Sequence, residues 1–142
     1  MSRRGVVLFA LLASACGGRI TDPEAFFQPA SRFACEVDVM ETIIKPRCAN
    51  AGCHESKAPA GGLALDSIAA WQGLVNQPAF GCNKAPLLSP TNPLEGHLFE
   101  KVEDARPRCG SPMPMTGARL TAAELDCLRR FVLTEVAPLE AP

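Results

Sequence analysis

The sequence predicts a small all-α domain of about four helices separated by long loops. Three observations point there. Apolar residues recur at spacings of three and four in separate segments. No stretch alternates with the period of two that a half-buried strand shows, and two segments open with strong helix-start signals. The first helix is expected over Phe33 to Lys45, where Phe33, Val37, Met40, Ile43 and Ile44 form one stripe. Pro46 is expected to end it and deliver the chain into a loop beginning at Cys48. A second, short helix is expected over Ser67 to Asn76, capped by Asp66, with Trp71 in the core. Asn92-Pro93 then pairs a capping side chain with a proline in the first helical position. This third helix should run to about Glu103, with Leu94, Leu98, Phe99 and Val102 as core candidates and His97 half-buried or facing solvent. The last helix is the best marked. Thr121 and Glu124 form a capping box, Leu120 can staple onto Leu125, and Leu125, Leu128, Val132 and Val136 make the buried face.

The 142 residues carry 14 basic and 15 acidic side chains, a formal net charge of −1. So even a balance excludes a polycationic nucleic-acid binder and an acidic tail protein. Hydrophobic residues at 47% suffice for a core, and no block of like charges argues for disorder. No phosphate-binding loop, dinucleotide fingerprint or Ser-His-Asp order occurs. The adjacent Glu103 and Asp104 point apart on a helix end and make no acid–base pair.

The beginning of the chain reads as an address. Arg3 and Arg4 precede an apolar run, Val6 to Leu12, too short to span a bilayer, followed by Ala13-Ser14-Ala15-Cys16. Small residues directly before a cysteine resemble the lipobox of bacterial lipoproteins. That resemblance implies cleavage before Cys16, acylation of Cys16, and, with Gly17 next, an outer-membrane anchor facing the periplasm. Ordinary cleavage with release into the periplasm is the alternative. Residues 1–15 would then be signal peptide, 16–31 a lipidated tether of scattered Gly, Pro, Asp and Gln, and 32–138 the folded domain.

Seven cysteines in so short a chain need an accounting. Export sends them to an oxidising compartment. With Cys16 assigned to lipid, Cys35, Cys48, Cys53, Cys82, Cys109 and Cys127 remain. Cys48-Ala49-Asn50-Ala51-Gly52-Cys53-His54 ends in Cys-His, and a cysteine pair followed at once by histidine is the signature of c-type haem attachment, usually with two intervening residues rather than four. Two thiols add across the haem vinyl groups and the histidine ligates the iron from below. Two other readings stand beside it: a Cys48–Cys53 disulfide next to a surface histidine, and a zinc site of Cys48, Cys53 and His54 with His97 as fourth ligand. The remaining four cysteines allow three connectivities. The favoured one joins Cys35 to Cys127, tying the first helix to the last, and Cys82 to Cys109, tying two loops rich in Pro and Gly.

The order of helix, Cys-Cys-His loop, irregular middle, Met-Pro loop and terminal helix resembles class I c-type cytochromes. More closely, it resembles the small cytochrome-c-like lipoproteins of Gram-negative bacteria. The matching stretches are Ile43 to His54, Asn92 to Val102 and Cys109 to Val132. The resemblance implies one covalent haem c on Cys48 and Cys53, with His54 and Met113 as axial ligands; Met115, two residues on, or His97 would be the less favoured substitutes. It also implies a carrier of single electrons between redox proteins of the envelope, not an enzyme, since a peroxidase needs an open iron position that Met113 would fill. The competing class is the same domain without haem, stapled by disulfides and serving adhesion or assembly.

Overall fold

The computed structural model describes residues 35–138, which lie within one unit spanning Phe33–Pro142. The expected signal peptide, tether, Cys16 and Phe33 lie outside the described residues. Among these residues there are four helices and no strand. We number them α1, formed by Met40–Ile44 and Lys45–Arg47, α2 (Ile68–Gln72), α3 (His97–Glu103), and α4 (Ala122–Phe131), which a last turn at Val132–Val136 prolongs. None is long and apolar enough to cross a membrane.

α1 departs from expectation at both ends: it begins only at Met40, residues 35–38 lying outside any helix, and it runs past its expected stop. Pro46 does not stop it; the helix continues through Pro46 to Arg47. Met40–Ile44 is wound as a π-helical turn, so Pro46 falls in the first turn of the following segment, where its missing N–H leaves no ladder bond broken. Met40, Ile43 and Ile44 are buried as the stripe requires, whereas Val37 is exposed. α2 is shorter than expected and differently capped. Ser67 Oγ accepts from Ala70 N at 3.2 Å, while the Asp66 carboxylate is taken by Ser56, and the helix closes at Gly73 rather than Asn76. Trp71 is buried as expected. Its Nε1–H donates to Leu65 O at 2.9 Å, and its ring meets Phe131 edge-on at 5.5 Å. That contact, with Gln72 donating to Glu135 O, seats α2 on the end of α4.

The third expected helix is two pieces. Pro93–Glu95 forms a 3₁₀ turn capped by Asn92, and α3 begins only at His97. The break is steric. Gly96 is extended and lies so close to residues 87–88 that a β-carbon there would fall on the Leu87 carbonyl oxygen and 2.7 Å from Leu88 Cα. Residues 86–88 bond in two directions. Asn76 N and Leu87 N pair this segment with 74–77, and His97 N and Leu98 N donate to Pro86 O (2.9 Å) and Leu87 O (3.0 Å). Two of the four donors left over at the start of α3 are thereby satisfied. Leu98, Phe99 and Val102 are buried as expected and Leu94 partly so.

α4 carries the capping box in full. Glu124 N donates to Thr121 Oγ1 at 3.2 Å, and Thr121 N donates to Glu124 Oε2 at 2.7 Å. Its buried face is Leu128, Phe131, Val132 and Val136, with Leu125 only partly covered. Disulfides join Cys35 to Cys127 and Cys82 to Cys109 across sequence separations of 92 and 27. In the chain-entropy account these restrain the unfolded state by about 5 and about 4 kcal/mol.

Candidate functional site

The Cys-Cys-His loop hangs from the end of α1. Cys48 N and Ala49 N both donate to Ile44 O, at 2.7 and 2.9 Å, and Ala49 is buried. The loop closes on itself through Cys53 N to Asn50 O and His54 N to Cys48 O, each 3.0 Å. Gly52 makes that closure with φ at +81°, a conformation that a β-carbon opposes. Arg47 holds the base of the loop from outside. It pairs with Glu124 of the α4 cap at 2.9 Å and donates to Ala118 O and Arg119 O.

His54 is latched to the segment that follows. Leu65 N donates to His54 O at 2.7 Å, and the ring nitrogen Nδ1 lies 2.9 Å from Leu63 O. A carbonyl only accepts, so Nδ1 carries a hydrogen, and the neutral ring then has on Nε2 the lone pair that a metal ligand requires. Cys48 and Cys53 are free thiols, while the other four cysteines of the domain are paired. Cys48 packs against the core, and burial pushes its thiol up to about 11, the nearby Arg47 pulling the other way. It is a neutral, apolar sulfur at ordinary pH, and a thioether sulfur suits the same surroundings.

Of the two methionines, Met113 packs against the core and Met115 is 70% exposed. The Met113 loop is fastened to α3: Met113 N donates to Lys101 O at 2.7 Å, Lys101 Nζ to Ser111 O at 2.9 Å. Arg119 donates to Val102 O and Asp104 O, both at 2.8 Å. Among the described residues no hydrogen bond joins Met113 to the loop of residues 48–54. The connection runs through Arg47 and the carbonyls of 118 and 119.

His97 corrects the sequence reading. It is 2% exposed, not half-buried or facing solvent. Because Gly96 lets α3 press against 86–88, the first side chain of the helix turns inward. There Nδ1 lies 3.0 Å from Glu100 Oε2, and Nε2 lies 3.2 Å from Cys82 Sγ. Cys82, His97 and Cys109 are the one described group of three His, Cys, Asp or Glu residues with ligand atoms within 4.8 Å of one another. The zinc set of Cys48, Cys53, His54 and His97 is therefore not assembled. Sequence reasoning also missed Glu100, whose place three residues after His97 on one helix was the available signal. Arg108 pairs with Glu100 at 2.9 Å. Its backbone N–H, first, and its guanidinium and His97 with it, hold the Glu100 carboxyl down to about 2.

Compared with models of known protein families, with curated protein sequences and with solved structures, the chain matches none.

Proposed function

We propose that this chain is a lipid-anchored envelope protein of the c-type cytochrome kind, holding one covalent haem c and passing single electrons between redox proteins. The observation that carries the reading is the hydrogen bond from His54 Nδ1 to Leu63 O, at the end of a loop whose two thiols are left free. It fixes both the tautomer and the direction of the ring, which is what a permanent axial ligand needs. In this reading Cys48 and Cys53 supply the thioether sulfurs, His54 Nε2 one axial position and the Met113 thioether the other. Cys16, acylated, supplies the anchor.

Each residue has a task of its own. The Leu63 carbonyl keeps His54 from rotating and, in the neutral ring, places the lone pair on Nε2. Cys48 holds its sulfur in an apolar setting, and Gly52 allows a five-residue step between thiols to close into a turn. Bound haem supplies one-electron chemistry, and a histidine–methionine pair raises its potential relative to ligand sets without the thioether. The two disulfides are also compatible with a second reading, a haem-free stapled module with an adhesion or assembly role.

Visible and near-infrared spectra separate these readings, on protein produced together with a cytochrome c maturation system. The proposal expects sharp haem bands on reduction and, in the oxidised protein, the near-infrared charge-transfer band of methionine–iron ligation, lost in Met113→Ala. A colourless protein sinks the haem reading. Haem bands without the near-infrared feature would reassign the second ligand away from Met113.

A further inference from the structure

The Cys82–Cys109 disulfide and His97 are unused by the haem reading, yet they are arranged as a ligand set. His97 is nine-tenths buried or more, and its Nδ1–H is held by the Glu100 carboxylate, the kind of outer partner that orients metal-binding histidines. In the neutral ring Nε2 then presents a lone pair to Cys82 Sγ at 3.2 Å. A disulfide sulfur has no hydrogen to give, so Nε2 of the neutral ring faces that sulfur with its lone pair. A tetrahedral Zn²⁺ with two sulfurs and an imidazole places those atoms about 3.5–3.8 Å apart. The three ligand atoms here already lie within 4.8 Å. They border a cleft of about 490 Å³, lined also by Asn83, Ala85 and Arg108, with room for water as a fourth ligand.

We propose that Cys82, Cys109 and His97 form a redox-gated Cys₂His site for a thiophilic divalent cation of the Zn²⁺ type. Oxidised, the sulfurs bond to each other and the site is shut. A dithiol reductant opens it by exchange. One of its thiolates attacks a protein sulfur, and its second thiol then displaces the mixed disulfide. The products are two protein thiols and the oxidised reductant, two electrons and two protons having passed to the protein. Zn²⁺ binding then releases two protons as both thiols become thiolates and His97 Nε2 donates its lone pair.

Native mass spectrometry with Zn²⁺ tests this without reference to colour or electron transfer. Any free Cys48 and Cys53 are first alkylated in the oxidised protein. The protein is then treated with dithiothreitol, freed of it without air, and mixed with Zn²⁺, its helicity followed by circular dichroism. The expected result is one zinc per chain, with two protons lost, in the reduced protein and none in the oxidised one. Cys82→Ser/Cys109→Ser should abolish uptake. Cys35→Ser/Cys127→Ser should keep it. His97→Ala should weaken it at least 10-fold in competition with a chelator. Zinc uptake that survives Cys82→Ser/Cys109→Ser, undiminished affinity in His97→Ala, or a reduced protein that takes up no zinc, folded or unfolded, overturns the proposal.

Discussion

Replacing Gly96 with alanine adds a single methyl group at the point where α3 meets residues 86–88. The backbone of Gly96 is extended, at φ −71° and ψ 159°, so alanine meets no torsional objection there. The objection is space. The new carbon would fall on the Leu87 carbonyl oxygen and 2.7 Å from Leu88 Cα, and both obstacles are backbone atoms of a segment bonded on its far side to 74–77. Neither can swing away as a side-chain tip would. Overpacking in a closed site costs about 1–3 kcal/mol. If α3 lifts instead, the bonds from His97 N and Leu98 N to Pro86 O and Leu87 O are lost, at about 0.5–1.5 kcal/mol each. Either route gives a central value of about 2 kcal/mol, a substantial part of the 5–15 kcal/mol that holds a typical domain together. For a domain of this size that corresponds to a drop in Tm of roughly 10 °C. Thermal and urea unfolding with both disulfides intact measure it. Gly73→Ala is the control, since the nearest atom to its β-carbon is a carbonyl oxygen at 3.3 Å. A Gly96→Ala loss below about 1 kcal/mol would refute the steric account of where α3 begins.

Trp71→Phe removes the donor that satisfies the Leu65 carbonyl and opens a gap beside Phe131. It should cost about 2–3 kcal/mol in urea unfolding followed by circular dichroism, and a cost under about 0.5 kcal/mol would contradict the buried hydrogen bond. In haem-free protein at pH 8, Cys48 should carry about 100-fold less thiolate than an ordinary cysteine, its thiol being raised from 9.0 to about 11. Iodoacetamide should then modify it far more slowly in the folded protein than in urea, and equal rates would argue against its burial. Glu100 carries the opposite shift, from 4.5 down to about 2, so its contribution to stability is complete above about pH 5 and fades as pH falls from 4.5 through 2. The stability gap between wild type and Glu100→Gln should narrow over that window, and a gap independent of pH would contradict the assigned pairing.

The parts legible in the sequence were those set by neighbours in the chain. The Thr121–Glu124 box needs only residues three apart and stands in the structure; the α1 and α4 stripes need only helical spacing and stand at Met40, Ile43 and Ile44 and at Leu128, Val132 and Val136, while Val37 is exposed and Leu125 only partly covered. The Asn92 cap was equally local and is present, but the helix it announced breaks at Gly96. That break depends on residues 86–88, and no periodicity around 96 encodes them. The same distant segment turns His97 inward, which a lone histidine in an amphipathic pattern could not reveal. Asp66 was a plausible cap by rank, yet Ser56, ten residues earlier, claims its carboxylate and leaves Ser67 to cap α2. In the candidate site, the Cys-Cys-His string was legible as chemistry. The acceptor that fixes His54, the Leu63 carbonyl nine residues on, was not, because backbone carbonyls leave no mark on composition.

The most direct test of the central claim is the intact mass of the denatured protein, produced with a cytochrome c maturation system and compared with Cys48→Ser/Cys53→Ser. The account predicts a gain of one haem that persists through denaturation in the wild type and is absent from the double variant. A wild-type mass equal to the polypeptide less six hydrogens, three disulfides with Cys48 joined to Cys53, would contradict it.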